Sequence, residues 1–149
     1  MFSIDIQNEK KLQKALRDLG KASRQRTVLK KALNKASTPV NKEAKRQAPT
    51  RHKQLRKSIG KVSRTYKPSS VIVVIGPRVG YAFIDDKGYK HNPVKYAHLV
   101  EYGHGGPHPA PAHPFLRPAY DNKINEVNRI FNEEAWKNIR KEAERVRNK

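Results

Sequence analysis

Apolar and small side chains recur along the first third of the chain at Leu12, Leu16, Leu19, Val28 and Leu29, Ala32 and Leu33, Ala36, Val40, Ala44 and Ala48. The steps are mostly three and four, which predicts amphipathic helices over residues 8–48. Gly20 predicts a break after the first segment, with Ser23 as the cap of the next. Pro39 follows Ser37-Thr38 and lacks a backbone donor. It either kinks one helix of about 25 residues or opens a new one at its first turn, with Thr38 as cap. The stripe is built of alanines with few large side chains. Such a surface lets another element or a second subunit approach closely, and does not hold an isolated helix.

Ala48-Pro49-Thr50 ends the helical region. A loose alternation from Leu55 to Tyr66 predicts a strand from about Ser58 to Thr65. Lys67-Pro68-Ser69-Ser70 is a turn, and Val71-Ile72-Val73-Val74-Ile75 is the clearest strand, closed by Gly76-Pro77. Apolar on both faces, it reads as a central strand. Tyr81 to Ile84 predicts a further short strand, and Asp85-Asp86-Lys87-Gly88 a turn at a hairpin tip. From Val94 to Gly103 the pattern favours a short helix over a strand.

Residues 103–118 hold five prolines and three glycines, so they read as loop or extended structure. Tyr120, Ile124, Val127, Phe131, Ala135, Ile139, Ala143 and Val146 then predict a long helix over 119–147, with Asp121 just inside its positive end. The order is a helical region at 8–48, a sheet region at 55–102, a loop at 103–118 and a closing helix. It predicts a single α+β domain over 1–149, with long N-terminal helices and a C-terminal helix packed on a small antiparallel sheet of about three strands.

Composition changes this picture chiefly through charge. The 149 residues carry 33 Lys and Arg against 13 Asp and Glu, a net charge of +20. Residues 1–67 alone carry a net +16. The apolar share, about 38% with Gly counted and Tyr left out, is below the usual ~45–50%. A thin core and a strongly self-repelling surface imply a partner that supplies negative charge, either nucleic acid or an acidic protein. Within the basic half, Lys42, Lys45, Arg46, Arg51, Lys53, Arg56 and Lys57 are the candidate contacts to DNA or to an acidic partner. No apolar run approaches the ~18–20 residues needed to span a bilayer. Met1 to Lys10 has no apolar leader core, so neither a membrane partner nor a signal peptide is expected.

Candidate chemistry is sparse. The absence of cysteine removes disulfides, thiol nucleophiles and thiolate metal sites. His104, His108 and His113, with His91 and His98 upstream, have ligand-like spacing. Their Pro- and Gly-rich loop does not preset a ligand set, and only Glu101 lies close by. Asp85 and Asp86 are adjacent and point different ways. No serine sits in a nucleophile elbow, and Gly76 to Gly80 lacks the spacing and the lysine of a phosphate loop. No catalytic residue, metal or cofactor is expected, and the chain does not read as an enzyme.

Three stretches in order carry a resemblance. Ala44-Lys45-Arg46-Gln47-Ala48-Pro49 precedes Leu55-Arg56-Lys57-Ser58-Ile59. Tyr96-Ala97-His98-Leu99-Val100-Glu101-Tyr102-Gly103 follows. Pro109-Ala110 then stands with Ala112-His113-Pro114-Phe115-Leu116-Arg117-Pro118-Ala119. Together, over about residues 10–135, they resemble the head–tail joining, or tail-completion, proteins of long-tailed bacteriophages and prophages, to which the lambdoid minor tail protein Z group is related. Two positions depart from that pattern. Arg51-His52-Lys53-Gln54 replaces a Thr-Gly turn, and His104 replaces a threonine after Gly103.

The resemblance implies a structural virion protein of the neck, made in the host cytoplasm and built into a ring between portal and tail tube. Its partners would be a portal adaptor or stopper, a tail terminator or tail tube, and non-specifically the genomic DNA. Alone, a chain of this charge is expected to associate weakly. The alternative is a basic nucleic-acid-binding protein not tied to a virion. Glu101, Tyr102, Gly103, Phe115, Leu116 and Arg117 are the candidate interface or loop-anchoring residues. Glu101 is expected to accept hydrogen bonds from the loop or to pair with Arg117. Phe115 and Leu116, flanked by prolines, are expected to pin the loop into the core or into a neighbour.

Overall fold

The computed structural model describes residues 8–50, 53–67 and 70–148. Among them are six helices, α1 (Glu9–Asp18), α2 (Ala22–Ala36), α3 (Thr38–Gln47), α4 (Gln54–Ser58), α5 (Pro93–Tyr102) and α6 (Leu116–Arg147). The four strands are β1 (Ile59–Lys67), β2 (Ser70–Pro77), β3 (Phe83–Ile84) and β4 (Lys90–His91). The class is α+β, as the pattern predicts. The chain divides into two compact units, one of Met1–Pro39, Val62–Val74 and Ile124–Lys149, the other of Val40–Lys61 and Ile75–Lys123. No described helix is long and apolar enough to cross a membrane.

In the first unit α1 turns Leu12 and Leu19 inward, and α2 turns Val28, Ala32 and Ala36 inward. Gly20 breaks the chain between them with φ 75°. The cap position of α2 is Lys21, not Ser23. Ser23 already lies inside the helix, where its carbonyl accepts the Thr27 hydroxyl at 2.9 Å. In α6 the buried positions Val127, Phe131, Ala135 and Ile139 recur every four residues. Ion pairs Arg24–Glu142 and Lys35–Glu134 tie α2 to α6 in opposite chain sense. The lysine also holds the Glu134 carboxyl below the usual carboxylate range.

Between α2 and α3 the second of the two readings of Pro39 is the observed one. Buried Ser37 closes α2, its hydroxyl donating to the Asn34 carbonyl at 2.9 Å, and a new helix opens at Thr38-Pro39. Thr38 does not act as the cap. It is the first helical residue, and its hydroxyl points back to the Asn34 carbonyl.

The second unit has a core of Val40, Ala44, Ala48, Leu55, Ile59, Ala97, Phe115 and Ala119. The strand expected from Ser58 begins one residue later, because residues 54–58 form the helical turn α4. The Ser58 hydroxyl closes that turn on the Leu55 carbonyl at 2.6 Å. Arg78 then continues the pairing of β1 with β2. Its N–H donates to the Ser58 carbonyl at 2.9 Å and its guanidinium reaches the Lys57 carbonyl at 3.1 Å. Gly60 leaves room for that side chain, since a Cβ there would lie 2.7 Å from the Arg78 Cγ.

Sheet structure departs from the expected single sheet of about three strands. β1 pairs with β2 and β3 with β4, each pair its own two-stranded sheet among the described residues. So β2 is not a central strand. Its residues are half-buried and Val74 is exposed. A β-branched run reports a pleated surface, not the number of neighbours it will have. The expected tip at Asp85-Asp86-Lys87-Gly88 does join β3 to β4, with Phe83 opposite His91. Asp85 knits it, accepting from the Lys87 and Tyr89 N–H groups at 3.0 and 2.8 Å and bonding the His91 Nε2 at 2.8 Å. These bonds, His91's foremost, lower the Asp85 pKa.

Candidate functional site

Helix α5 begins at Asn92, whose side chain accepts the Val94 N–H at 3.1 Å, with Pro93 in the first turn where its missing donor costs nothing. Pro93, Ala97 and Glu101 form its buried stripe, four residues apart. Glu101 is 6% exposed. Its Oε2 accepts the backbone N–H groups of Phe115 and Leu116 at 2.8 and 3.0 Å, and its Oε1 accepts that of Arg117 at 3.0 Å.

Those N–H groups stand at the start of α6, where no carbonyl of the preceding turn is available. The carboxylate also meets the positive end of the helix dipole. A side chain fourteen residues upstream therefore caps the longest helix. Because the cap lies here, α6 starts at Leu116, and the loop ends three residues earlier than expected. Pro118 is tolerated within the first turn. Asp121 is five residues into the helix and is not the group that meets its N-terminus. Of the two roles expected for Glu101 the first is observed. It takes the Arg117 backbone, and the Arg117 side chain stays exposed.

The loop is fastened at three further points. Gly103 has φ 72°, and a Cβ on it would lie 2.8 Å from the Ala112 nitrogen and 2.9 Å from the Ala110 oxygen. Both conformation and space require glycine there. His104 and Ala110 exchange backbone hydrogen bonds at 3.0 and 2.9 Å, and the His113 N–H donates to the Val100 carbonyl at 2.8 Å. Phe115 is fully buried and Leu116 half-buried, so this pair anchors the loop within the chain. Tyr102 is 80% exposed. Among the described residues no group of three His, Asp or Glu lies close enough to hold a metal ion.

The basic candidates separate into two sets. Arg46 grips buried Glu43 through both nitrogens, with Nε donating to Oε2 at 3.0 Å, and Gln47 donates to the same carboxylate at 2.7 Å. Those hydrogen bonds, the arginine's foremost, lower the Glu43 pKa to about 2. Arg56 donates to the carbonyls of Arg46 and Ala48 at 3.1 and 3.4 Å, closing the C-terminal end of α3. Both arginines thus serve the fold. Lys42, Lys53 and Lys57 are exposed and Lys45 is half-buried. Arg51 lies outside the described residues.

The spacing Glu43, Arg46, Gln47 was a readable signal for the first cluster, since side chains three and four apart meet on a helix. Nothing in local spacing marks Glu101 as the cap of α6.

The geometry is thus a capped helix, a fastened loop and two basic arginine clamps. The family described as "Bacteriophage HK97-gp10, putative tail-component" matches residues 10–103, from α1 to the Gly103 that ends α5. The third motif, Pro109 to Ala119, lies beyond the matched span. No curated protein and no solved structure matches the chain. A match over more than half of the sequence, running through all five helices that precede the loop, places this chain in the HK97 gp10-like family of phage tail components.

Proposed function

We propose that this protein is a structural component of the phage neck, joining the DNA-filled head to the tail as one layer of a ring. The observation that carries the reading is the family match over residues 10–103. The polar contacts are consistent with a structural role, because Glu101 and Arg56 are spent on backbone groups and the buried Glu43 on the side chains of Arg46 and Gln47.

Joining needs surfaces for protein neighbours. Ile84, Tyr89, Leu99 and Tyr102 are exposed large apolar or aromatic side chains in one compact unit. Such groups anchor protein interfaces when they fill a partner's pockets. Portal adaptor, stopper, tail terminator and tail tube are the neighbours this role implies, and the protein would reside in the virion. Heterologous contacts that close on rotation would generate the ring.

Electron microscopy of particles made without the protein tests the reading. Filled heads and separate tails are expected, and wild-type protein added to that lysate restores joined virions. Complete particles formed in its absence would remove the neck assignment.

A further inference from the structure

Helix α1 is divided sharply along its length. Leu12 and Leu19 point inward, while Lys10, Lys11, Lys14 and Arg17 stand exposed on the other side, four cations against the two acids at the helix ends, Glu9 and Asp18. Lys10, Lys14 and Arg17 are four and three residues apart and so form a row about 10 Å long at 1.5 Å rise per residue. On α2 four of the five cations, all but the half-buried Arg26, are sorted by partner. Arg24 and Lys35 are held by Glu142 and Glu134 of α6, whereas Lys30 and Lys31 face solvent. Neither these two lysines nor the α1 cations make an ion pair among the described residues.

The kind of polyanion follows from what the surface lacks. Protein interfaces are centred on apolar or aromatic anchors, and a phosphate backbone requires none. No exposed large apolar side chain lies on α1 or α2; all those of the described residues lie elsewhere. The row is also mostly lysine, a point charge that binds phosphate without the planar fork used to read a base edge.

We infer that the solvent face of α1, with Lys30 and Lys31 of α2, is a contact surface for the phosphate backbone of duplex DNA, read without regard to sequence. The inference deepens the neck reading and rests on it, since a protein at the junction of head and tail lies beside the packaged genome. It also moves the DNA contact from α3 and α4, where two arginines are already engaged, to α1 and α2.

The test is fluorescence anisotropy of the full chain with a labelled duplex of roughly 20 base pairs, titrated across salt concentrations. Expected is binding indifferent to sequence, with log K falling linearly against log salt by about 0.9 per phosphate neutralised. The triple variant K10Q/K14Q/R17Q should reduce that slope by roughly 2–3, and K30Q/K31Q should reduce it further. Lys42→Gln with Lys57→Gln should leave it unchanged. Glutamine preserves helix propensity, and circular dichroism melts confirm that each variant is folded.

A wild-type slope in the triple variant overturns the inference. So does a slope lost only with the α3 and α4 lysines, or polyglutamate binding more tightly than the duplex, which would identify an acidic protein as the partner. A failure here while virions still need the protein for joining leaves the neck reading standing. Joined virions made without the protein sink that reading whatever the anisotropy shows.

Discussion

Glu101 shows how much one side chain can decide. Three backbone donors converge on a carboxylate that is nearly out of contact with water. Hydrogen bonds to a charged group contribute about 1.5–3 kcal/mol each, and leaving buried donors unpaired adds to the cost. Glu101→Ala should therefore destabilise the fold by at least about 2 kcal/mol and expose the loop to proteolysis near Ala112. Thermal melts and limited proteolysis check both, and a wild-type melt would show that the cap is dispensable. Glu43 makes a second prediction. Its pKa is lowered from 4.5 to about 2, so the folded state binds its proton less readily than the unfolded chain. Its contribution is present above about pH 4.5 and is lost as pH falls toward 2. Between those limits Glu43→Gln should lose less stability on acidification than wild type, measured by urea titration at several pH values. Parallel curves would dissociate Glu43 from the acid transition.

At the scale of elements, the alanine stripe is spent inside the chain. Ala32, Ala36, Ala44 and Ala48 are all at or below 1% exposed. They let helices approach closely within each unit's own core and are not left open for a second subunit. A carboxylate introduced there has no partner and no water, which costs several kcal/mol. Ala36→Glu should then lower the melting temperature steeply or prevent folding, whereas Lys31→Glu on the solvent side of the same helix should not. Equal melts for the two variants would mean that the α2 stripe is not core. The ion pairs Arg24–Glu142 and Lys35–Glu134 add register more than energy, since partly exposed pairs contribute about 0–1 kcal/mol.

For the molecule as a whole, the excess charge governs association. A chain of net +20 repels copies of itself, and the repulsion is screened only within a Debye length of about 10 Å at 0.1 M salt. Purified protein at low salt should scatter light as a monomer of 17.1 kDa. Higher salt or an anionic template should promote association. A stable ring in isolation at low salt would show that apolar contacts between copies outweigh the charge.

The class of fold, the helical regions and the basic half were legible in sequence because they depend on short-range periodicity and on counting. Residues 94–103 read as a helix ending at a glycine, and Asp85 to Gly88 as a hairpin tip, since turn chemistry is local. The resemblance in the first two motifs was legible for the same reason, and it agrees with the family that residues 10–103 match. Other features were decided only by tertiary structure. Val71 to Ile75 has the composition of a central strand, yet pairing is a property of two segments, and the described residues place β1 alone beside it. Arg46 and Arg56 look like their neighbouring lysines in a charge count, but a guanidinium finds a carboxylate or carbonyls that an exposed lysine does not reach. Helix α6 starts three residues before the point its periodicity predicts because its cap, Glu101, belongs to another helix. A carboxylate fourteen residues away leaves no periodic trace, and only the folded backbone brings it to the donors it satisfies.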